Sequence, residues 1–266
     1  MWEGFTMEVL QRPGGELATR PIHFFWVVDC SGSMYGEKIG IVNNTIQECI
    51  PEMRSAADNN PNAQLLIRAL QFSSGASWIT SSPVPVEDYG WEDMDANGLT
   101  ELGKAFDLLA AQLSIPPMPE RALPPVIVLL SDGQPTDDYK KSMEKLKKLP
   151  WFRKAVKIAI SIGQDADDEV LIEFAGNKEL VLQANNATAL AKMIKWASTT
   201  ASMVSAPSSK PMNSVAASTP ASASRASVAA SVPADDPFAP ANNGAPLVLD
   251  MSNIPNPDDF DEGAVW

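Results

Sequence analysis

The segment IHFFWVV (22–28) constrains the fold more than any other part of the chain. It is apolar, β-branched and aromatic almost throughout, with no polar alternation. That pattern suits a strand covered on both faces, as in parallel sheets whose crossover helices lie on either side. The run stops at Asp29, continues as Cys-Ser-Gly-Ser (30–33), and then changes period. Ile39, Val42, Ile46, Ile50 and Met53 recur at spacings of three and four, the signature of an amphipathic helix, with Pro51 expected to kink it or mark its frayed end. A plain turn needs a glycine and one Asx residue. Oxygen side chains at i, i+2 and i+4 (Asp29, Ser31, Ser33) exceed that need.

The same alternation recurs downstream. QLLIRALQF (64–72) and ASWIT (76–80) read as two strands joined by a tight SSG turn. Leu102, Phe106, Leu109 and Leu113 mark a helix stopped by PPMP, and PVIVLLSD (125–132) a further strand. A polar helix (137–149), a strand (155–163), a short helix (167–176) closed by Gly176, a strand (179–183) and a last helix (186–204) with Asn186 as N-cap complete the series. The expected fold class is α/β over residues 20–205. Its architecture is a doubly wound, mostly parallel six-stranded sheet with one antiparallel edge strand, preceded by an N-terminal extension (1–19). Composition shifts near Ala206 to Ala, Ser and Pro, which cannot bury enough surface to offset chain entropy, so 206–245 reads as a disordered linker. Residues 246–266 interleave acidic and large apolar side chains. They read as a docking segment, with Phe260 and Trp266 as its partner-binding residues.

A formal charge of −13 and a pI near 4.5 argue against nucleic acid as the partner. No uncharged apolar run reaches membrane-spanning length, so no membrane association is expected. The acidic N-terminus lacks the basic and apolar regions of a secretory signal. Two cysteines, Cys30 and Cys49, make no disulfide framework. Together these point to a cytoplasmic protein with reduced thiols.

Ligands of open α/β sheets bind beyond the carboxyl ends of the strands. Asp29, Ser31 and Ser33 follow the first strand, Asp132 ends the fourth within LLSDGQPTDD, and Thr100 opens the second helix within ANGLTELGKAF. Hydroxyl, carboxylate and water oxygens without a thiolate or imidazole cluster suit a hard divalent cation: magnesium first, with manganese or calcium as alternatives. Neutral hydroxyls coordinate without cancelling charge, so such a cation keeps residual attraction for an external carboxylate.

VVDCSGSM, GLTELGKAF and LLSDGQPTD resemble, in order and spacing, the three motifs of von Willebrand factor A (vWA) domains with a metal-ion-dependent adhesion site (MIDAS). The resemblance covers residues 20–204. It implies Ser31, Ser33 and Thr100 as direct metal ligands, Asp29 and Asp132 as ligands through water, and an Asp or Glu of a protein partner completing the octahedron. Leu99 departs from the Gly-Gly-Thr usual before the second helix. DCSGSMYGEKIGIVNNTIQE looks closest to bacterial tellurium-resistance (TerY-type) members. That closeness implies a scaffold in a stress or defence signalling module with a PP2C-type phosphatase and a Ser/Thr kinase.

The expected function is therefore a non-enzymatic, Mg²⁺-dependent protein-binding scaffold. The alternatives are a metal-dependent phosphohydrolase using the same cation and an extracellular adhesin. Other polar features have simpler readings. Asp137 and Asp138 are expected to cap and open the third helix, and Asp165, Asp167, Asp168 and Glu169 to start the fourth. His23 is expected in the core or an interface, and Cys30 has no base beside it to make a nucleophile. The basic run KKSMEKLKKL should be a solvated helix face. Trp78, Trp91, Trp151 and Trp196 are expected to pack in the core, although their places near element ends would also suit interface anchors.

Overall fold

The computed structural model describes residues 20–58, 63–132, 134–163 and 166–205, with side chains through 198. The N-terminal extension, Asp165, the linker and the C-terminal segment with Phe260 and Trp266 lie outside the described residues.

The apolar run forms β1 (Arg20–Asp29), every residue of which from Ile22 onward is buried. The chain then makes a 3-10 turn (Gly32–Met34), α1 (Glu37–Asp58), β2 (Ala63–Ser73), β3 (Gly75–Trp78), β4 (Val84–Pro85), α2 (Leu102–Gln112) and β5 (Val126–Ser131). It continues through α3 (Tyr139–Lys148), α4 (Pro150–Lys154), β6 (Val156–Ile162), α5 (Asp168–Ala175), a second 3-10 turn (Lys178–Leu180), β7 (Val181–Ala184) and α6 (Ala187–Ser205). The sheet order is β3-β2-β1-β5-β6-β7, with β1 parallel to both β2 and β5. β3 is the expected antiparallel edge strand, and the two-residue β4 also pairs with β2, so the sheet has seven strands rather than six.

Strand pleating sorts the core. Phe24, Trp26 and Val28 face α1 and α6 with Val42, Ile46, Leu190 and Ile194. Phe25 and Val27 face the other way, onto Leu102, Phe106 and Leu109 of α2, Met143 of α3 and Phe174 of α5. Both faces of one strand are thus apolar because helices cover both. β1 lies centrally, and successive strands are added to its two sides. The change of direction falls between β1 and β5, the place where a crevice opens at the strands' carboxyl ends.

Local details follow from side-chain chemistry. The α1 helix runs through Pro51 instead of fraying there. The exposed Pro51 forgoes a bond to the carbonyl of the equally exposed Gln47, which water can satisfy. Asn186 does cap α6, its Oδ1 accepting from Ala189 N at 2.9 Å, and Asp167 caps α5 through Glu169 N. Gly176 closes α5 in the left-handed conformation, φ 78°. The basic run forms α3, burying Ser142, Met143 and Leu146 while Lys145 and Lys147 pair with Asp107 and Glu173 on the solvent side. Trp151 and Trp196 are buried, Trp78 lies half-buried beneath the Arg68 guanidinium, and Trp91 Nε1 donates to Asn43. The tryptophans are packing residues. Among the described residues no helix is long and apolar enough to cross a membrane.

Candidate metal centre

Asp29 is fully buried at the end of β1, and both its carboxylate oxygens are held. Oδ1 accepts from Ser31 N at 2.8 Å, and Oδ2 accepts from Ser131 Oγ at 2.6 Å. The Ser131 bond is set by strand register. Val28 pairs with Leu130, so the next residues, Asp29 and Ser131, face each other across the central strands. Burial pushes the Asp29 carboxyl up to about 6 against the pull of those hydrogen bonds, and the Asp132 carboxylate adds to the rise.

Three backbone bonds stitch the motif loops together. Cys30 N donates to Phe72 O at 2.8 Å, Asn97 N to Cys30 O at 2.8 Å, and Gly32 N to Gly98 O at 3.0 Å. Gly98 permits this approach with φ +79°, and a Cβ there would lie 2.5 Å from Ser74 Oγ. Two residues on, the buried Thr100 donates its N–H to Thr136 Oγ1 at 3.1 Å, and Thr136 N returns to Thr100 O at 2.9 Å. The loop after β5 therefore clamps the start of α2. Asp137 belongs to the same clamp. Its Oδ1 accepts from Gly103 N at 3.1 Å, so it caps α2 and not α3, as its place in the sequence suggested. Asp138 precedes α3 without a capping bond. The correction has a steric cause: Gly103 lets the Asp137 carboxylate approach so closely that a Cβ would sit 2.8 Å from Oδ2.

The hydroxyl oxygens of Ser31 and Ser33 are 2.9 Å apart. Two adjacent ligands on an octahedral magnesium, each about 2.1 Å from the ion, have almost that separation of about 3 Å. Asp29 is a buried carboxylate with no ion-pairing cation among the described residues, so a bound cation would relieve its burial. Among the described residues no three His, Cys, Asp or Glu side chains assemble into a metal cluster. The donor set is instead hydroxyls with flanking carboxylates, which fits a hard cation better than zinc.

The sequence-derived residues Asp29, Ser31, Ser33, Thr100 and Asp132 all fall on this one edge of the sheet, joined by β1–β5 register and the loop bonds above. Sequence reasoning missed Ser131, Thr136 and the true role of Asp137. It also missed Lys38, whose Nζ lies 3.5 Å from Asp132 Oδ2. Beside the site a cleft of about 620 Å³ is lined by Cys30, Ser73, Ser74, Glu92, Asp93 and Asp95. Burial pushes the Cys30 thiol up to about 12, so it is no nucleophile. Tyr35 and Leu99, 79% and 56% exposed, flank the motif serines and Thr100 in sequence.

The family model for the von Willebrand factor type A domain matches residues 25–196. Among solved structures, the ArnB paralog VWA2 from Sulfolobus acidocaldarius is similar at 18% identity and a TM-score of 0.50, covering 67% of this chain and 45% of that one. A von Willebrand factor type A protein from Catenulispora acidiphila gives 15% and 0.50, covering 69% and 43%. The pilus adhesin SpaC from Lactobacillus rhamnosus GG in its open conformation gives 15% and 0.53, covering 65% and 29%. The chain spans less than half the length of each of these proteins, and at such identities the likeness is one of fold. No curated protein matches.

Proposed function

The chain belongs to the von Willebrand factor type A family, and from that premise we propose that it is a non-enzymatic, Mg²⁺-dependent protein-binding scaffold. As the resemblance implies, Ser31, Ser33 and Thr100 would hold the cation directly, and Asp29 and Asp132 would hold it through water. When bound, the cation supplies a Lewis-acidic position for an Asp or Glu of the partner. The observation that carries the reading is the pair of serine hydroxyls 2.9 Å apart beside a buried carboxylate that lacks a counterion among the described residues. The residues of this chain do the rest: Ser131 and Ser31 N fix the Asp29 oxygens, and Thr136 fixes the backbone of Thr100.

Exposed Tyr35 and Leu99 favour a protein partner, because large apolar side chains at the rim of a polar site gain from being covered by another surface. The two free, buried thiols suit a reducing cytoplasm. The resemblance to TerY-type proteins supplies the candidate partners, a PP2C-type phosphatase and a Ser/Thr kinase, with residues 246–266 and their Phe260 and Trp266 as a second docking element. A phosphohydrolase is disfavoured, since the cleft beside the site is lined by Glu92, Asp93 and Asp95, which repel phosphate, and by the inert thiol of Cys30.

The test is capture of such a phosphatase or kinase by the full chain, the Ser33→Ala chain and a chain ending at Ser205, each with Mg²⁺ and with EDTA. Capture that needs both Mg²⁺ and Ser33 supports the metal face. Capture unchanged by EDTA and by Ser33→Ala contradicts it. Loss only on truncation assigns binding to the tail.

A further inference from the structure

Lys38 is a cation at the site edge that neither the motif nor the proposed function uses. It stands on the first turn of α1, immediately after the motif loop, and its side chain is 18% exposed. Its ammonium lies 3.5 Å from Asp132 Oδ2, whose side chain is 11% exposed. The end of β6 makes room for it. Gly163 has φ +92°, and a Cβ there would come 3.2 Å from Lys38 Nζ. Lys38 is thus seated between the ends of β5 and β6, against the carboxylate of Asp132.

We propose that Lys38 sets the net charge of the loaded site, weakening cation binding in order to strengthen capture of the partner's carboxylate. This rests on the metal-binding reading above. The Asp29 and Asp132 carboxylates carry two negative charges and a divalent cation two positive ones. Alone, these sum to zero, so the attraction that the cation keeps through its neutral hydroxyl ligands is short-ranged, with no net charge behind it. Lys38 leaves the sum at one positive charge, in a setting where water screens it only in part. Glu92, Asp93 and Asp95 line the neighbouring cleft, so without Lys38 the face would repel a carboxylate. The same positive charge opposes entry of the cation. One residue therefore pushes two equilibria in opposite directions, which a merely structural lysine does not do.

The experiment uses the full chain, Lys38→Gln, Lys38→Arg and, as a control for an exposed charge elsewhere, Lys147→Gln. Lys147 pairs with Glu173 on the solvent side of α3. Mn²⁺ binding is measured by calorimetry, and carboxylate capture by the broadening that protein-bound Mn²⁺ causes in the methyl resonance of added acetate. Lys38→Gln should bind Mn²⁺ about tenfold more tightly and acetate several-fold more weakly, with Lys38→Arg near the wild type and Lys147→Gln unchanged. Its melting temperature in EDTA should fall by a few degrees, because Asp132 loses its counterion. If Lys38→Gln shifts both affinities in the same direction, or neither, the proposal is wrong. A wild-type chain that takes up no Mn²⁺ overturns the metal reading itself, an outcome distinct from the first.

Discussion

The two ends of β1 solve the same problem in opposite ways. Each buries an ionisable side chain in the central strand, His23 at one end and Asp29 at the other. Asp29 has both oxygens hydrogen-bonded and sits where three loops meet. His23 is stacked on Phe25, and neither ring nitrogen has a hydrogen-bond partner among the described residues. The first arrangement holds a charge in place, awaiting something to neutralise it. The second keeps the group neutral by withholding everything that would stabilise its charge. One end of the strand fixes a buried carboxylate by hydrogen bonds, and the other buries its imidazole by packing alone.

The sharpest break of this comparison is a pH titration. Burial lowers His23 from 6.5 to about 4. Between those values the unfolded chain takes up a proton that the folded chain refuses, so the stability linked to His23 is complete above pH 6.5 and is lost as pH falls towards 4. The loss amounts to about 3 kcal/mol. Asp29, raised to about 6, gains stability over the same interval in both chains, so urea unfolding at pH 7 and pH 4.5 should show a change less favourable by about 2.5 kcal/mol in the wild type than in His23→Phe; equal changes in the two would remove His23 from the account.

At the other end, Asp29→Asn should weaken Mg²⁺ binding about 100-fold, just under 3 kcal/mol, while the chain still folds in EDTA. Calorimetry and a melting curve check both halves. Gly98→Ala should cost about 2 kcal/mol, since it forces a left-handed backbone on a side chain that also meets Ser74. That variant should also loosen metal binding, because Gly98 bonds Gly32 and precedes Thr100. Asp137→Ala should cost about 1 kcal/mol as a lost cap of α2, measured by denaturant unfolding. Leu99→Gly should change stability least, by no more than about 0.5 kcal/mol, because the side chain is exposed. It should nonetheless reduce partner capture in a pull-down if the apolar rim takes part.

The contrast within β1 also shows what could be read from sequence. Ile22–Val28 announced a doubly covered strand because its composition leaves no polar face, and the three-and-four spacing from Ile39 to Met53 announced α1. β4 was not legible, since two residues carry no period. α4 was missed although Pro150 at its first turn is a fair start signal. The clustering of Asp29, Ser31 and Ser33 was legible because the motif is local. Ser131 was not, because its bond to Asp29 spans 102 residues and exists only through β1–β5 register. Asp137 was assigned to the nearer helix in sequence, whereas the folded loop brings it to the start of α2. Lys38 carried no signal of its own in the sequence, and its place beside Asp132 adjoins Gly163, which follows β6 much later in the chain.

The central claim, that Asp29, Ser31, Ser33, Thr100 and Asp132 form one divalent-cation site, is tested most directly by titrating Mn²⁺ into the full chain and following the free ion by electron paramagnetic resonance. The account predicts one bound Mn²⁺ per chain, displaced by Mg²⁺ and lost in the Ser31→Ala/Ser33→Ala double variant. Retention of Mn²⁺ by the double variant, or no binding by the wild type, would contradict it.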